Sequence, residues 1–314
     1  MKKYILMSLA ALLTFSFTSC KEDSGTEPGN DEKAVVTLYS YEVDSPYNPD
    51  NDVAIRFVGN NKVEEIYFLV EPKAQFDANM TEKGESGYID YVLANGTKGE
   101  IDAEANEALG QKTVEMVFTN LIGENVIAAV SKSASGNMLN TTTFVGLEWE
   151  DVTEGYYKFG DGSKLGAVSG LDGTYPVLQH CSTAGKEDLY RLVDVFGAGF
   201  NMKFNILPDT EEETDYGKAW YCRVALQPTS WSYGDYGTVY VRDIAEWQGN
   251  DAFATNGTYG CYMFEDGYTY FPLNYRVSAG NLGYTTINNC DIFVPSEYLE
   301  EGEEALAREV VFNR

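Results

Sequence analysis

The stretch Val53–Pro72, VAIRFVGNNKVEEIYFLVEP, decides the fold class. It holds two short runs, Val53–Val58 and Glu65–Val70, rich in apolar, β-branched and aromatic residues and separated by Gly59-Asn60-Asn61. Such runs bounded by turn residues are strand signals. Outward from this stretch, Ala34–Val43, Thr113–Phe118, Asn125–Val130 and Thr141–Leu147 predict further strands. Pro46, Asn48-Pro49-Asp50, Gly123 and Ser135-Gly136-Asn137 predict the turns between them. Residues 34–148 therefore predict a β-sandwich. One segment departs from the pattern. Gly87–Asn95 (GYIDYVLAN) places Tyr88, Tyr91 and Val92 at helical spacing and stops at Gly96, which predicts a short helix over one sheet edge.

Residues 149–314 are denser in glycine and aromatic residues. Gly155–Phe159, Tyr175–Leu178, Leu189–Val195, Asn201–Ile206, Ala219–Leu226, Thr238–Val241, Tyr259–Phe264, Tyr268–Leu273 and Cys290–Val294 predict strands. The expectation is a second all-β domain, a sandwich or jelly-roll-like fold. The acidic stretch Ser296–Ala307 predicts a helix, with REVVF after it as a last strand. The chain is thus expected to be all-β, with two tandem β-sandwich-like domains.

The N-terminus carries a different signal. Lys2 and Lys3 precede an almost wholly apolar run, Tyr4–Phe17, which ends in Thr18-Ser19-Cys20. Charge, short apolar core and small residues in that order predict a secretory signal over residues 1–19. The alternative, a membrane span, needs roughly 20 apolar residues. A lone cysteine at the end of such a core resembles the lipobox of bacterial lipoproteins, in which the Cys20 sulfur would carry a diacylglyceryl group and the signal would be cut before it. Thr18 and Ser19 depart from the usual leucine-containing box, as they do in lipoproteins of Bacteroidota. Each buried lipid methylene is worth about 0.8 kcal/mol, so two or more chains would anchor the protein stably. Lys21, Glu22 and Asp23 resemble the surface-export signal of Bacteroidota lipoproteins, which implies an outer-membrane protein facing the cell exterior. An ordinary solvated linker is the alternative. Residues 20–33 are polar, with Gly and Pro, and predict a flexible tether.

Two further resemblances concern the domains. EIYFLVEP, a helical insert and then NVIAAVSKSASGN (Asn125–Asn137) resemble fibronectin type III-like domains of Bacteroidota surface lipoproteins. The strand before SKSASGN lacks the tyrosine often found there. This resemblance implies a spacer or binding module over residues 34–148. Trp149-Glu150-Asp151, GYYKFG (Gly155–Gly160) and LYRLVDVFG (Leu189–Gly197) resemble the start of C-terminal domains of uncharacterised lipoproteins from the same phylum, a likeness that brings no known chemistry.

Charge and cysteines narrow the function classes. The formal net charge is −27, and without Lys2 and Lys3 the remaining 20 basic and 49 acidic side chains give about −29. Nucleic acid is a poor partner for such a surface, and membrane contact is expected through the lipid anchor alone. Cys181, Cys222, Cys261 and Cys290 lack CxxC spacing. An exported chain permits disulfides, so one or two pairs and buried free thiols both stand. His180 is the sole histidine, which argues against a Cys/His zinc site and, as a residue beside a strand end, fits a packed structural role.

No GxSxG elbow, Walker loop or dinucleotide fingerprint is present. Paired carboxylates could serve a glycoside hydrolase, but sequence spacing does not report their distance in space. DSPYNPDND (Asp44–Asp52) and GDGSKLG (Gly160–Gly166) are rich in oxygen ligands without the EF-hand pattern and fit plain turns better than calcium loops. The aromatic cluster TSWSYGDYGTVY carries more. Trp231, Tyr233, Tyr236 and Tyr240, with Trp247 shortly after, could stack on the apolar faces of sugar rings, while Asp235 and Asn250 bind hydroxyls. Tyr and Trp also form strand faces and sandwich cores, which is the competing reading. The expectation is a non-enzymatic cell-surface protein, without metal or cofactor, whose 149–314 domain binds an extracellular glycan or protein through Trp231, Tyr233, Asp235, Tyr236 and Trp247. A structural component of a surface complex is the alternative, and a glycoside hydrolase comes third.

Overall fold

The computed structural model describes residues 33–44, 46–101 and 112–299. The expected signal and tether, including Cys20, Lys21, Glu22 and Asp23, lie outside these residues. So do most of the helix expected over Ser296–Ala307 and the strand after it. The chain is mostly β and divides into two compact units. One holds residues up to Asn120 together with Glu124–Phe144; the other holds Leu121–Gly123 and the residues from Val145 onward.

In the first unit the strands are β1 (Val36–Tyr41), β2 (Val53–Gly59), β3 (Glu65–Pro72), β4 (Thr97–Lys98), β5 (Lys112–Phe118), β6 (Gly123–Lys132) and β7 (Met138–Gly146), with α1 (Lys73–Asn95) between β3 and β4. Two sheets form, in the orders β1-β2-β5 and β4-β3-β6-β7. Along β2, Val53, Ile55 and Phe57 are buried and alternate with more exposed residues, as a strand with one covered face requires. Phe57 of the first sheet stacks on Phe68 of the second at 5.2 Å, and Phe118 meets both rings edge-on. Such pairs add to the burial of each ring.

The second sheet of this unit is covered on its other face too. Ala128 and Val130 of β6, with Tyr67 and Leu69 of β3, pack against Tyr88 and Val92 of α1. The helix therefore lies on a sheet face and not on an edge, and it runs from Lys73, fourteen residues before the predicted start at Gly87. Its first half is polar apart from Phe76 and Met80, so periodicity did not reveal it. Gly84, at φ 65° and ψ 174°, separates the two halves; this left-handed φ is one that glycine adopts without steric cost.

The second unit contains β8 (Trp149–Lys158), α2 (Leu165–Ser169), β9 (Gly173–Thr174), β10 (Val177–Cys181), β11 (Leu189–Leu192), β12 (Met202–Ile206), β13 (Glu212–Thr214) and β14 (Gly217–Arg223). There follow β15 (Gln227–Ser232), β16 (Thr238–Asp243), α3 (Ile244–Gln248), β17 (Cys261–Phe264), β18 (Thr269–Phe271), β19 (Leu273–Val277), β20 (Gly280–Tyr284) and β21 (Asp291–Pro295). Eight of these strands close into an antiparallel barrel in the order β8-β10-β11-β12-β14-β17-β18-β21 and back to β8. This corrects the expected sandwich or jelly roll. The first half of β8 pairs with β10 and its second half with β21, so one long strand closes the ring. Alternating burial reads alike in a barrel and in a sandwich; the pairing partner distinguishes them.

The barrel interior is filled by side chains. Tyr157, Leu178, Leu192, Met202, Phe204, Cys222, Met263, Phe271 and Phe293 belong to one buried cluster. An eight-stranded barrel is just wide enough for such a filling. At Gly155 on β8 a Cβ would stand 2.3 Å from the Val294 carbonyl oxygen and 2.6 Å from the Phe293 ring, so strand closure needs glycine there. On the outside of β14, β17, β18 and β21 a second cluster forms from Tyr221, Tyr262, Phe264, Tyr268 and Tyr270.

Two excursions leave the barrel. β15, β16 and α3 lie between β14 and β17 in sequence, and β19 and β20 lie between β18 and β21. They join as a separate four-stranded antiparallel sheet, β15-β16-β19-β20. Its inner face, with Val239, Val241, Leu273, Tyr275 and Val277, merges with the barrel core. Pro228 in β15 and Gly280 and Gly283 in β20 hid these two strands from pattern reading.

Candidate functional site

The outer face of this excursion sheet gathers the most chemistry. On β16, Val239, Val241 and Asp243 turn inward, so Tyr240 and Arg242 turn outward. The register sets two rows across the sheet. Pro228, Tyr240, Arg276 and Asn281 form one, and Arg242, Asn274 and Tyr284 form the other. Asn274 is fully buried. Its Nδ2 donates to Asn281 Oδ1 at 2.8 Å and to the Gly283 carbonyl at 2.9 Å, while its Oδ1 accepts from Arg242 Nε at 3.1 Å. One buried amide thus orients the Arg242 guanidinium.

Next to these rows stands an aromatic shelf. Trp247 of α3 lies 5.2 Å from Tyr284, tilted by 37°, and Tyr284 continues to Tyr259 at 6.4 Å and on to Phe253. The shelf is anchored from below by Asp243. Its Oδ1 caps α3 by accepting from the Glu246 N–H at 2.6 Å. Its Oδ2 accepts from the Val224 N–H and from Arg223 Nε. Arg223 also reaches Asp251, tying down the turn that carries Phe253. Asn250, considered as a hydroxyl ligand, instead caps that same turn through the Ala252 N–H.

The five residues nominated from sequence do not stay together. Tyr233 and Tyr236 stack at 6.0 Å with a 25° tilt on the β15–β16 turn, and both are exposed, Tyr236 by 59%. Asp235 is exposed on the same turn. Trp247 sits at the other end of β16, roughly 20 Å away along a six-residue strand. Trp231 stands apart from them: it is half-buried and packs against the barrel core, meeting Phe159 and Phe196 edge-on at 5.8 and 6.3 Å. Arg242, Asn274, Arg276 and Tyr284 were not nominated. Arg242 could have been found from its alternation with Tyr240; the others come from strands made adjacent only by folding.

Elsewhere the chemistry is quieter. Asp291 sits in the barrel interior, where Tyr157, Tyr275 and the Gly160 N–H donate to it. The cysteines at 181, 222, 261 and 290 are free and buried, the buried-thiol alternative of the two left open by the sequence. Cys222 and Cys261 face each other across β14 and β17, yet their thiols turn to the Trp220 and Pro272 carbonyls. Burial raises the thiol pKa values of Cys222, Cys261 and Cys290, which makes poor nucleophiles of them. The His180 ring packs 4.7 Å from Tyr190 and its Nε2 meets the Glu187 carbonyl at 2.7 Å. In the Asp44–Asp52 loop, Asp52 accepts from the N–H groups of Asn48 and Asn120, as a turn would use it. Among the described residues no group of three His, Cys, Asp or Glu side chains is placed to hold a metal. The first unit has a groove of about 310 Å³ beside Tyr41, Arg56, Glu115 and Met116. Arg56 and Glu115 pair within it at 2.5 Å, which leaves little net charge to recognise a ligand.

Comparison with known proteins does not place the chain in a family. No family model matches it, and neither a curated protein nor a solved structure does.

Proposed function

We propose that this chain is a lipid-anchored, cell-surface binding protein without catalytic activity, whose second unit holds an extracellular glycan. The observation that carries the reading is the outer face of the excursion sheet. Flat rings stand at both of its ends, Tyr233 and Tyr236 at one and Trp247 and Tyr284 at the other, with polar side chains between them. Pyranose rings stack on such surfaces through their C–H faces, while Asn and Arg meet their hydroxyls. A sheet is a rigid platform for this purpose. The signal-like run before Cys20 supports the anchor, and the Lys21-Glu22-Asp23 segment supports display on the outer membrane. For the first unit we propose a fibronectin type III-like spacer, a reading supported by its β1-β2-β5 sheet facing β4-β3-β6-β7 through Phe57 and Phe68.

The test is a glycan array probed with the chain from Lys21 to Arg314, followed by the Trp247→Ala and Tyr284→Ala variants. Binding to a defined oligosaccharide that drops at least about tenfold in either folded variant supports the reading, since one lost stacking contact is worth that order. Retention of full affinity in both variants would reject this face as the site.

A further inference from the structure

The excursion sheet brings two arginines together on one open face of a strongly acidic chain. Tyr240 is the register partner of Arg276, and Asn274 that of Arg242, so the two guanidinium groups are diagonal neighbours on adjacent strands. Diagonal pairs of this kind stand about 7–8 Å apart at Cα, within reach of one shared ligand. Among the described residues neither arginine makes an ion pair. Asp243 is committed to Arg223 and to the cap of α3. Glu246 pulls on Arg242 from a distance but does not bond it. Both side chains are half-buried, and burial together with the Arg276 charge lowers the Arg242 pKa. In a chain with 49 acidic and 22 basic side chains, two adjacent cations that make no ion pair among the described residues are a pointed exception. The two like charges repel each other at this separation, and an anion between them removes that repulsion.

We propose that Arg242 and Arg276, with the Trp247–Tyr284 shelf beside them, bind an anionic saccharide through its carboxylate or sulfate groups. The inference rests on the glycan reading above and adds the charge class of the ligand. Arg242 is held by Asn274 through Nε, so its terminal nitrogens are the donors left for the anion, in the planar geometry that suits carboxylate and sulfate oxygens. The shelf supplies the stacking surface for the ring that carries the acid. An acidic peptide would use the arginines but not the shelf, which favours the saccharide. Nucleic acid is disfavoured by the −27 net charge.

The test is calorimetric titration of the chain from Lys21 to Arg314 with matched oligosaccharides. One arm pairs galacturonate and glucuronate oligomers with their methyl esters. The other pairs sulfated with desulfated glycosaminoglycan oligomers. The expected result is that an anionic member in one arm binds at least about tenfold more tightly than its neutral partner, as a charge-assisted contact implies. Arg242→Gln and Arg276→Gln should each remove that preference, cutting the affinity for the anionic member at least about tenfold more than that for its neutral partner, and Trp247→Ala should weaken both members of the pair. Near-ultraviolet circular dichroism checks that each variant is folded. The arm that responds identifies carboxylate or sulfate. Equal binding of neutral and anionic partners would overturn the charge inference and leave the glycan reading standing. An anionic preference that survives both arginine variants would overturn the placement at this pair. Binding of polyglutamate with no saccharide binding would overturn the saccharide class. Absence of binding to every oligomer would count against both readings.

Discussion

Tyr275 donates its hydroxyl to Asp291 Oδ2 across 3.0 Å, with both residues fully buried where the barrel meets the excursion sheet. Tyr157 donates to the same oxygen at 3.2 Å, and the Gly160 N–H to the other at 3.0 Å. Burial pushes the Asp291 carboxyl up from 3.8 to about 6, against the pull of these donors. An acid whose pKa is raised by folding binds more protons in the native state. Its contribution to stability is therefore complete below pH 3.8 and is lost as pH rises through about 6.

Asp291→Asn removes that dependence. The stability of the parent relative to the Asn variant should fall by about 3 kcal/mol between pH 3.5 and pH 7.5. Urea unfolding of both proteins at the two pH values measures the gap. A gap that stays constant would mean that Asp291 does not hold its proton in the folded barrel.

The tryptophans at 231 and 247 should part company. Trp231→Ala strips a half-buried ring from against Phe159 and Phe196 and should cost about 2–3 kcal/mol, with ligand affinity of the folded fraction unchanged. Trp247→Ala removes a half-buried ring from the sheet edge and should chiefly affect binding. Thermal melts read beside glycan titrations separate the two effects, and a reversed pattern would move the site into the core region around Trp231.

Under α1, Glu71 accepts from Tyr88 at 2.6 Å and from Asn79 at 2.7 Å, with all three side chains buried. Tyr88→Phe deletes one donor to a buried carboxylate and should destabilise the first unit by about 1–3 kcal/mol. Denaturant unfolding followed by far-ultraviolet circular dichroism measures this. A loss under 0.5 kcal/mol (~ the scatter of surface substitutions) would show that the hydroxyl is dispensable there.

Buried free thiols at 181, 222, 261 and 290 should be silent in the native chain from Lys21 onward. Ellman's reagent should register all four only after guanidinium is added, without reductant. Fewer than four thiols under those conditions would reveal a disulfide, with Cys222 and Cys261 the first pair to examine because they share a register position.

How far the sequence could be read differs between elements. Val53–Gly59 and Glu65–Pro72 were legible almost to the residue, because a short run of apolar, β-branched and aromatic residues bounded by turn residues is a local signal. The first half of α1 was not legible. Its Phe76 and Met80 dock on a sheet whose strands come from residues 65–72 and 123–132, and nothing local marks that contact. β15 and β20 were hidden by Pro228 and by two glycines, which an edge strand tolerates. At the candidate site, aromatic density marked Tyr233, Tyr236 and Trp247, but nothing local shows that Trp231 packs against Phe159 and Phe196 and not beside the exposed Tyr233–Tyr236 pair.

By itself, then, the sequence determined the mostly β character, the acidic net charge and the aromatic richness of the second unit, all of which are local or additive properties of the chain. Tertiary structure alone decided that β8 closes a barrel, that Trp231 packs against the barrel core, and that Arg242 and Arg276 share one surface. The physical reason is common to all three. Each depends on which strand hydrogen-bonds to which across tens of residues, and composition and periodicity are the same whichever partner a strand takes.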